Sequence, residues 1–128
     1  MTGGVRSLLL GCFAVTLASC GGSPTAPTFV TDTFSGTLQP QGKDFHDFTV
    51  SADSNIDVTI TNLNPNVVVG TGIGVDSSGT CVLSASNEAV TMGSALQIGV
   101  AKGTYCVELH DVGNVTSPVT YTVTVDHP

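Results

Sequence analysis

The segment Val119–Val125 sets the fold class of this chain. Val119, Tyr121, Val123 and Val125 alternate with Thr120, Thr122 and Thr124, a period of two that suits a strand with one buried face. Ile56, Val58 and Ile60 alternate in the same way with Asp57, Thr59 and Thr61. On a helix these apolar residues would be scattered around the girth instead of forming one stripe. Shorter segments follow the same rule: Thr31–Leu38, His46–Val50 with Phe48 and Val50 on one face, Leu96–Val100, and Thr104–His110 with Tyr105, Val107 and Leu109 together. Val67–Val69 and Ile73–Val75 are separated by glycines, which predicts a bent strand or a bulge. Thr80–Ser84 and Ala89–Met92 are predicted as two short strands. Pro40–Gly42, Asn62–Asn66 with Pro65, Asp76–Gly79 and Lys102-Gly103 read as turns, and Asp111–Ser117 as a loop. Eight or nine short strands without helical periodicity predict an all-β fold, an antiparallel β-sandwich or jelly roll, as one domain over residues 29–128.

The N-terminal region follows a different pattern. Arg6 precedes an apolar run from Leu8 to Leu17, and Leu17-Ala18-Ser19-Cys20 ends it. One cation, a short apolar stretch and small residues before a cysteine are the layout of a signal peptide, here over residues 1–19. The run falls short of the roughly 20 apolar residues that span a bilayer. The four residues ending at Cys20 resemble the lipobox of bacterial lipoproteins. That resemblance implies cleavage before Cys20 and acylation of the new N-terminus with palmitate-type chains. Several such chains hold a protein on a membrane durably, where one chain binds weakly. Residues 20–28 then form a Gly-, Ser- and Pro-containing tether. Gly21 after the cysteine fits a destination at the outer membrane, with the domain extracytoplasmic.

Charge narrows the partners. The chain carries a formal charge of −7, and Arg6 lies in the predicted leader, so the exported part is more acidic still. Such a chain is repelled by phosphate backbones and anionic lipid surfaces, which excludes nucleic acid as a partner. Export also decides the cysteines. Cys12 leaves with the leader and Cys20 is taken by lipid. Cys81 and Cys106 remain, in an oxidising compartment, and are expected to form a disulfide. Cys106 has the opposite parity to Tyr105, Val107 and Leu109, which points the bridge to the outer face of its sheet.

The residues that could carry chemistry are few. Asp44 and Asp47, Asp76 in its turn, and Asp111 beside Gly113 and Asn114 are the candidate calcium ligands, because oxygen-rich loops supply the roughly six to eight oxygens that calcium takes. The dense D-x-D-x-D-G spacing of a dedicated calcium loop is missing, so no metal or other cofactor is assigned. For a sugar, the physics calls for an exposed aromatic platform. Tyr105 and Tyr121 share faces with Val and Leu and read as core, which leaves Phe45 as the candidate ligand-binding ring. His46, His110 and His127 read as structural or solvent-facing. Serines are plentiful, but without a G-x-S-x-G elbow no catalytic set is assigned.

Four fragments in order, Phe34-Ser35-Gly36-Thr37-Leu38, His46–Val50, Gly103-Thr104-Tyr105-Cys106-Val107 and Pro118–Val125, make the chain resemble the bacterial pre-peptidase C-terminal domain over about residues 31–126. The resemblance implies a β-sandwich of jelly-roll type without catalysis of its own, usually appended to exported enzymes. Some relatives bind collagen or polysaccharide and carry calcium near the domain's start. Here the lipobox stands where such an enzyme would lie. The expectation is therefore a lipid-anchored, extracytoplasmic module with a non-catalytic binding or structural role at the cell envelope. An accessory domain for polysaccharide or protein, assisted by calcium, is the second reading. A small secreted hydrolase is the third, with only unplaced serines and histidines behind it.

Overall fold

Period-two patterning becomes a two-layer structure because each strand buries one face and leaves the other to solvent. The computed structural model describes residues 25–128. The predicted signal peptide, Cys20 and the first residues of the tether lie outside them. Thr25–Phe29 is exposed, irregular chain leading into β1 (Val30–Leu38). There follow β2 (Lys43–Val50), β3 (Ser54–Asn64), β4 (Val69–Ser77), β5 (Thr80–Val90), β6 (Ala95–Val100), β7 (Gly103–His110) and β8 (Val119–His127). These pair antiparallel into two four-stranded sheets, ordered β1-β8-β3-β6 and β2-β7-β4-β5. Only β4 and β5 are neighbours both in sequence and in a sheet; the other connections pass between sheets. The result is a β-sandwich of jelly-roll topology.

The core lies between the sheets. Ile56, Val58 and Ile60 of β3 and Tyr121, Val123 and Val125 of β8 point inward from one layer, and Phe48, Val50, Val107 and Leu109 meet them from the other. Burying each such side chain contributes roughly 1.5–3 kcal/mol before ordering entropy is counted. This is the face that the alternation predicts.

Two strands extend beyond the predicted limits. β3 continues through Thr61–Asn64, where Pro65 and the asparagines had suggested a turn from Asn62. A bulge between Ile60 and Asn62 resets the alternation by one residue, so that Leu63 points inward and is only 3% exposed. β5 is one long strand where two short ones were predicted, which brings the count to eight. It is an edge strand, and the polar run Ser84–Glu88 gave no apolar alternation to follow. The glycine-divided segment before it is bent as expected, with register shifts between Val69 and Thr71 and between Ile73 and Gly74.

Where the edge strands β1 and β2 face each other, a polar cluster closes the sandwich. The Tyr121 hydroxyl donates to Asp44 Oδ2 at 2.5 Å and accepts from His46 Nε2 at 2.8 Å. Phe34 stacks on the His46 ring at 5.0 Å. Burial, and then the bond to Asp44, push the Tyr121 hydroxyl far above the usual phenol range. Every polar member of this cluster has a partner, which marks it as structural.

Candidate functional site

The outer face of the β2-β7-β4-β5 sheet is shaped by one sequence, Val69-Gly70-Thr71-Gly72-Ile73-Gly74 on β4. Val69, Thr71 and Ile73 point inward and are buried, so the three glycines share the outer face. They make a floor without side chains. Cys106, Glu108 and His110 of β7 border it on one side, because Val107 and Leu109 take the inner face. β5 borders it on the other.

Neighbouring strands close over this floor from both sides. Beside Gly70, the His110 ring fills the position that a β-carbon would take, and its Nε2 meets Glu88 Oε2 on β5 at 2.6 Å. Leu83 of β5 lies over Gly72. At Gly74 the bulge turns β5 up over the sheet, and the Val82 carbonyl occupies the place of a β-carbon. That turn brings Cys81 to a Cα–Cα distance of 5.9 Å from Cys106, with which it forms the disulfide. The bridge is on the outer face, as parity indicates. It reaches over an intervening strand, and its cysteines are buried, at 4% and 0% exposed.

Glu108 lies between the histidine contact and the disulfide. It is only 4% exposed, and its Oε2 has no hydrogen-bond partner. Above it opens a depression of about 390 Å³ bordered by Lys43, Leu83, Glu88, His110 and Asp111. Desolvation raises the Glu108 pKa above the ordinary carboxyl value, against the smaller lowering effects of Lys43 and His110. The neighbouring acids go the other way. The hydrogen bond with His110 lowers Glu88, and backbone amides of Gln41, Val115, Gly113 and Asn114 lower Asp111. Glu108 thus keeps one oxygen unpartnered, with its Oε1 3.3 Å from His110 Nδ1, while the other two carboxyls are engaged.

The predicted site residues fall in different places. Phe45 sits opposite Glu108 in the β2–β7 register as a half-buried ring, less open than a free platform, and is not among the residues that border the depression. Asp44 has the opposite parity and binds Tyr121. Asp47 is exposed on the outer face, opposite Cys106. Asp76 accepts from the Gly79 amide at 2.9 Å and shapes its turn. Asp111 spends both carboxylate oxygens on backbone amides. The four aspartates do not converge, and among the described residues no group of three or more His, Cys, Asp or Glu side chains could hold a metal ion. His46 is structural, its Nε2 2.8 Å from the Tyr121 hydroxyl. His127 is buried, holding Asp32 at 2.8 Å with Phe48 against its ring.

Glu88 and Glu108 stand outside the motifs read from the sequence. The parity that turned Cys106 outward applies equally to Glu108 and His110, and the alternating glycines of β4 were the sign of a floor for them to border. What the sequence could not show is that this outer face would be covered.

The chain matches no protein-family model, and no curated protein matches its sequence. Among solved structures, it is similar to PliG of Aeromonas hydrophila, a periplasmic lysozyme inhibitor of g-type lysozyme. The TM-score is 0.55 at 12% sequence identity, over 74% of this chain and 83% of that one. At that identity the likeness is one of fold.

Proposed function

We propose that this protein is a non-catalytic recognition module at the extracytoplasmic face of a bacterial envelope, held there by lipid on Cys20, and that the glycine-floored depression is the face that meets a protein partner. The observation that carries this reading is Glu108, a residue bordering an open depression whose buried carboxyl keeps one oxygen without a partner. A fold gains nothing from such a group on its own, since an unsatisfied buried polar atom costs about 1–3 kcal/mol. A partner that supplies the missing donor recovers that energy on binding. The fold shared with a periplasmic inhibitor supports this reading, as does the resemblance to the non-catalytic pre-peptidase C-terminal family.

Hydrolysis is poorly served by the same residues. No hydroxyl or thiol borders the depression, and His110 holds Glu88 in a hydrogen bond, leaving no second free carboxylate to work with Glu108.

Photo-cross-linking in intact cells tests the proposal. A benzoylphenylalanine in place of Phe45, across from Glu108 on the neighbouring strand, should give a discrete protein adduct in the membrane fraction. The same group in place of Thr33, on the opposite sheet, should not, and Cys20→Ala should move the chain out of that fraction. Equal labelling from both positions, a protease-resistant polysaccharide adduct, or membrane retention of Cys20→Ala would each overturn the corresponding part.

A further inference from the structure

We propose that the end of the sandwich where the chain enters from the tether rests on the membrane surface itself, with Phe29, Val30, Val75 and Val82 at the headgroup boundary. The inference rests on the lipid anchoring at Cys20 and adds which way the anchored domain faces.

Among the described residues six large apolar side chains are exposed, and four of them are these, each about half open to solvent. They are far apart in sequence, and the strand register gathers them at one end. Val30 opens β1 opposite His127 at the close of β8, and Phe29 precedes it. Ser51, after β2, donates its amide to the Pro128 carbonyl at 2.8 Å, so β2 ends level with β8. Val50, the last residue of β2, pairs with Gly103, the first of β7. β4 runs antiparallel to β7 and meets Cys106 at Gly74, so its remaining residues head for this same end. There Val75 and Val82 lie directly opposite each other, in the hairpin that turns at Ser78-Gly79. Apolar side chains gathered on one exposed surface mark a contact with a partner or a membrane.

The tether selects the membrane. Nine residue steps separate Phe29 from Cys20, a flexible span of about 17 Å. β1, at nine residues, is by itself about 30 Å long. The entry end is therefore held beside the bilayer. The opposite end could reach it only with the tether fully extended along the domain. An acylated Cys20 keeps the four side chains at high effective concentration against lipid, and apolar area buried at the headgroup boundary adds to the hold. Charge selects the lipid: Asp32, Asp53, Asp76 and Asp126 outnumber Lys102 at this end, so the surface that fits is zwitterionic, not anionic.

This orientation turns the depression away from the bilayer. Lys43 and His110, which border it, pair with each other at the opposite ends of β2 and β7. The two remaining exposed apolar residues, Val68 and Met92, are at that far end too.

The chain has no tryptophan, so single substitutions report on chosen positions. The test uses the full acylated chain in phosphatidylcholine vesicles containing lipid that is nitroxide-labelled near the headgroup end of its acyl chain. Quenching of Phe29→Trp and of Val82→Trp should each exceed that of Met92→Trp about twofold or more, as expected of side chains at the headgroup boundary. A chain that fails to float with the vesicles would overturn the lipid anchoring, and this inference with it. A chain that floats but is quenched equally at all three positions, or more at Met92→Trp, would overturn the orientation alone. Shielding of Phe29→Trp from acrylamide without quenching by the labelled lipid would put a second copy of the chain on this end and overturn the proposal. Cross-linking from position 45 decides separately whether the depression is a recognition face.

Discussion

Replacing Cys81 and Cys106 together by alanine should lower stability by about 3.5 kcal/mol, the loop-closure entropy of cysteines 25 residues apart. For a domain of this size that is a fall of about 15–25 °C in melting temperature. The structure adds a reason to expect no less. The bridge holds β5 over Gly74, and its cysteines are buried, so truncation also leaves a cavity. Amides in Thr80–Leu83 should exchange faster with solvent, because the raised end of β5 loses its fastening. Thermal unfolding followed by circular dichroism checks the magnitude. A loss below about 1 kcal/mol would mean that the hairpin keeps its place without the bridge.

Gly74→Ala should have the next largest effect. A β-carbon at this position would overlap the Val82 carbonyl and crowd the Leu83 backbone, neither of which can swing aside as a side chain can. β5 must therefore lift, at a cost of about 1–3 kcal/mol or more, and it must carry Cys81 with it. The buried disulfide should then become accessible, so reduction by dithiothreitol should be faster than in the wild type. Gly99→Ala on the other sheet is the control, since its added methyl meets only the Asn55 side chain, at 3.1 Å. It should change stability by less than about 0.5 kcal/mol. Equal effects at Gly74 and Gly99 would contradict the close approach of β5.

The fold was legible wherever one sheet face was buried and the other wet. β8 and the first part of β3 show this, because Val119–Val125 and Ile56–Ile60 write the inside and outside of the sandwich directly into the sequence. Legibility failed where that contrast was lost. β5 is an edge strand with polar residues on both faces, and the bulge after Ile60 shifted the pattern by one. The site was lost for the same reason in reverse. β7 is buried on both faces, so Glu108 looked like a solvated outer residue when alternation alone was followed. It is covered because Gly70, Gly72 and Gly74 let the His110 ring and the raised end of β5 close over the sheet. Of the acidic set, Asp44 is used by a tyrosine, Asp76 by a turn and Asp111 by a loop, while Asp47 stands exposed on the outer face. Phe45, the sole aromatic candidate, pairs across from Glu108 without bordering the depression.

As part of the proposed binding face, Glu108 is kept at the expense of folding stability. Thermal unfolding of the wild type and Glu108→Gln between pH 4 and 8 tests this most directly. Because burial raises its pKa, Glu108 holds its proton more tightly folded than unfolded. Wild-type stability should accordingly fall as pH rises from the ordinary glutamate value through the raised one. Glu108→Gln has no such proton to lose and should be the more stable protein at pH 7.5, by about 1–3 kcal/mol, with the difference vanishing near pH 4. If Glu108→Gln is instead the less stable protein at pH 7.5, Glu108 is a satisfied structural group and the central claim fails.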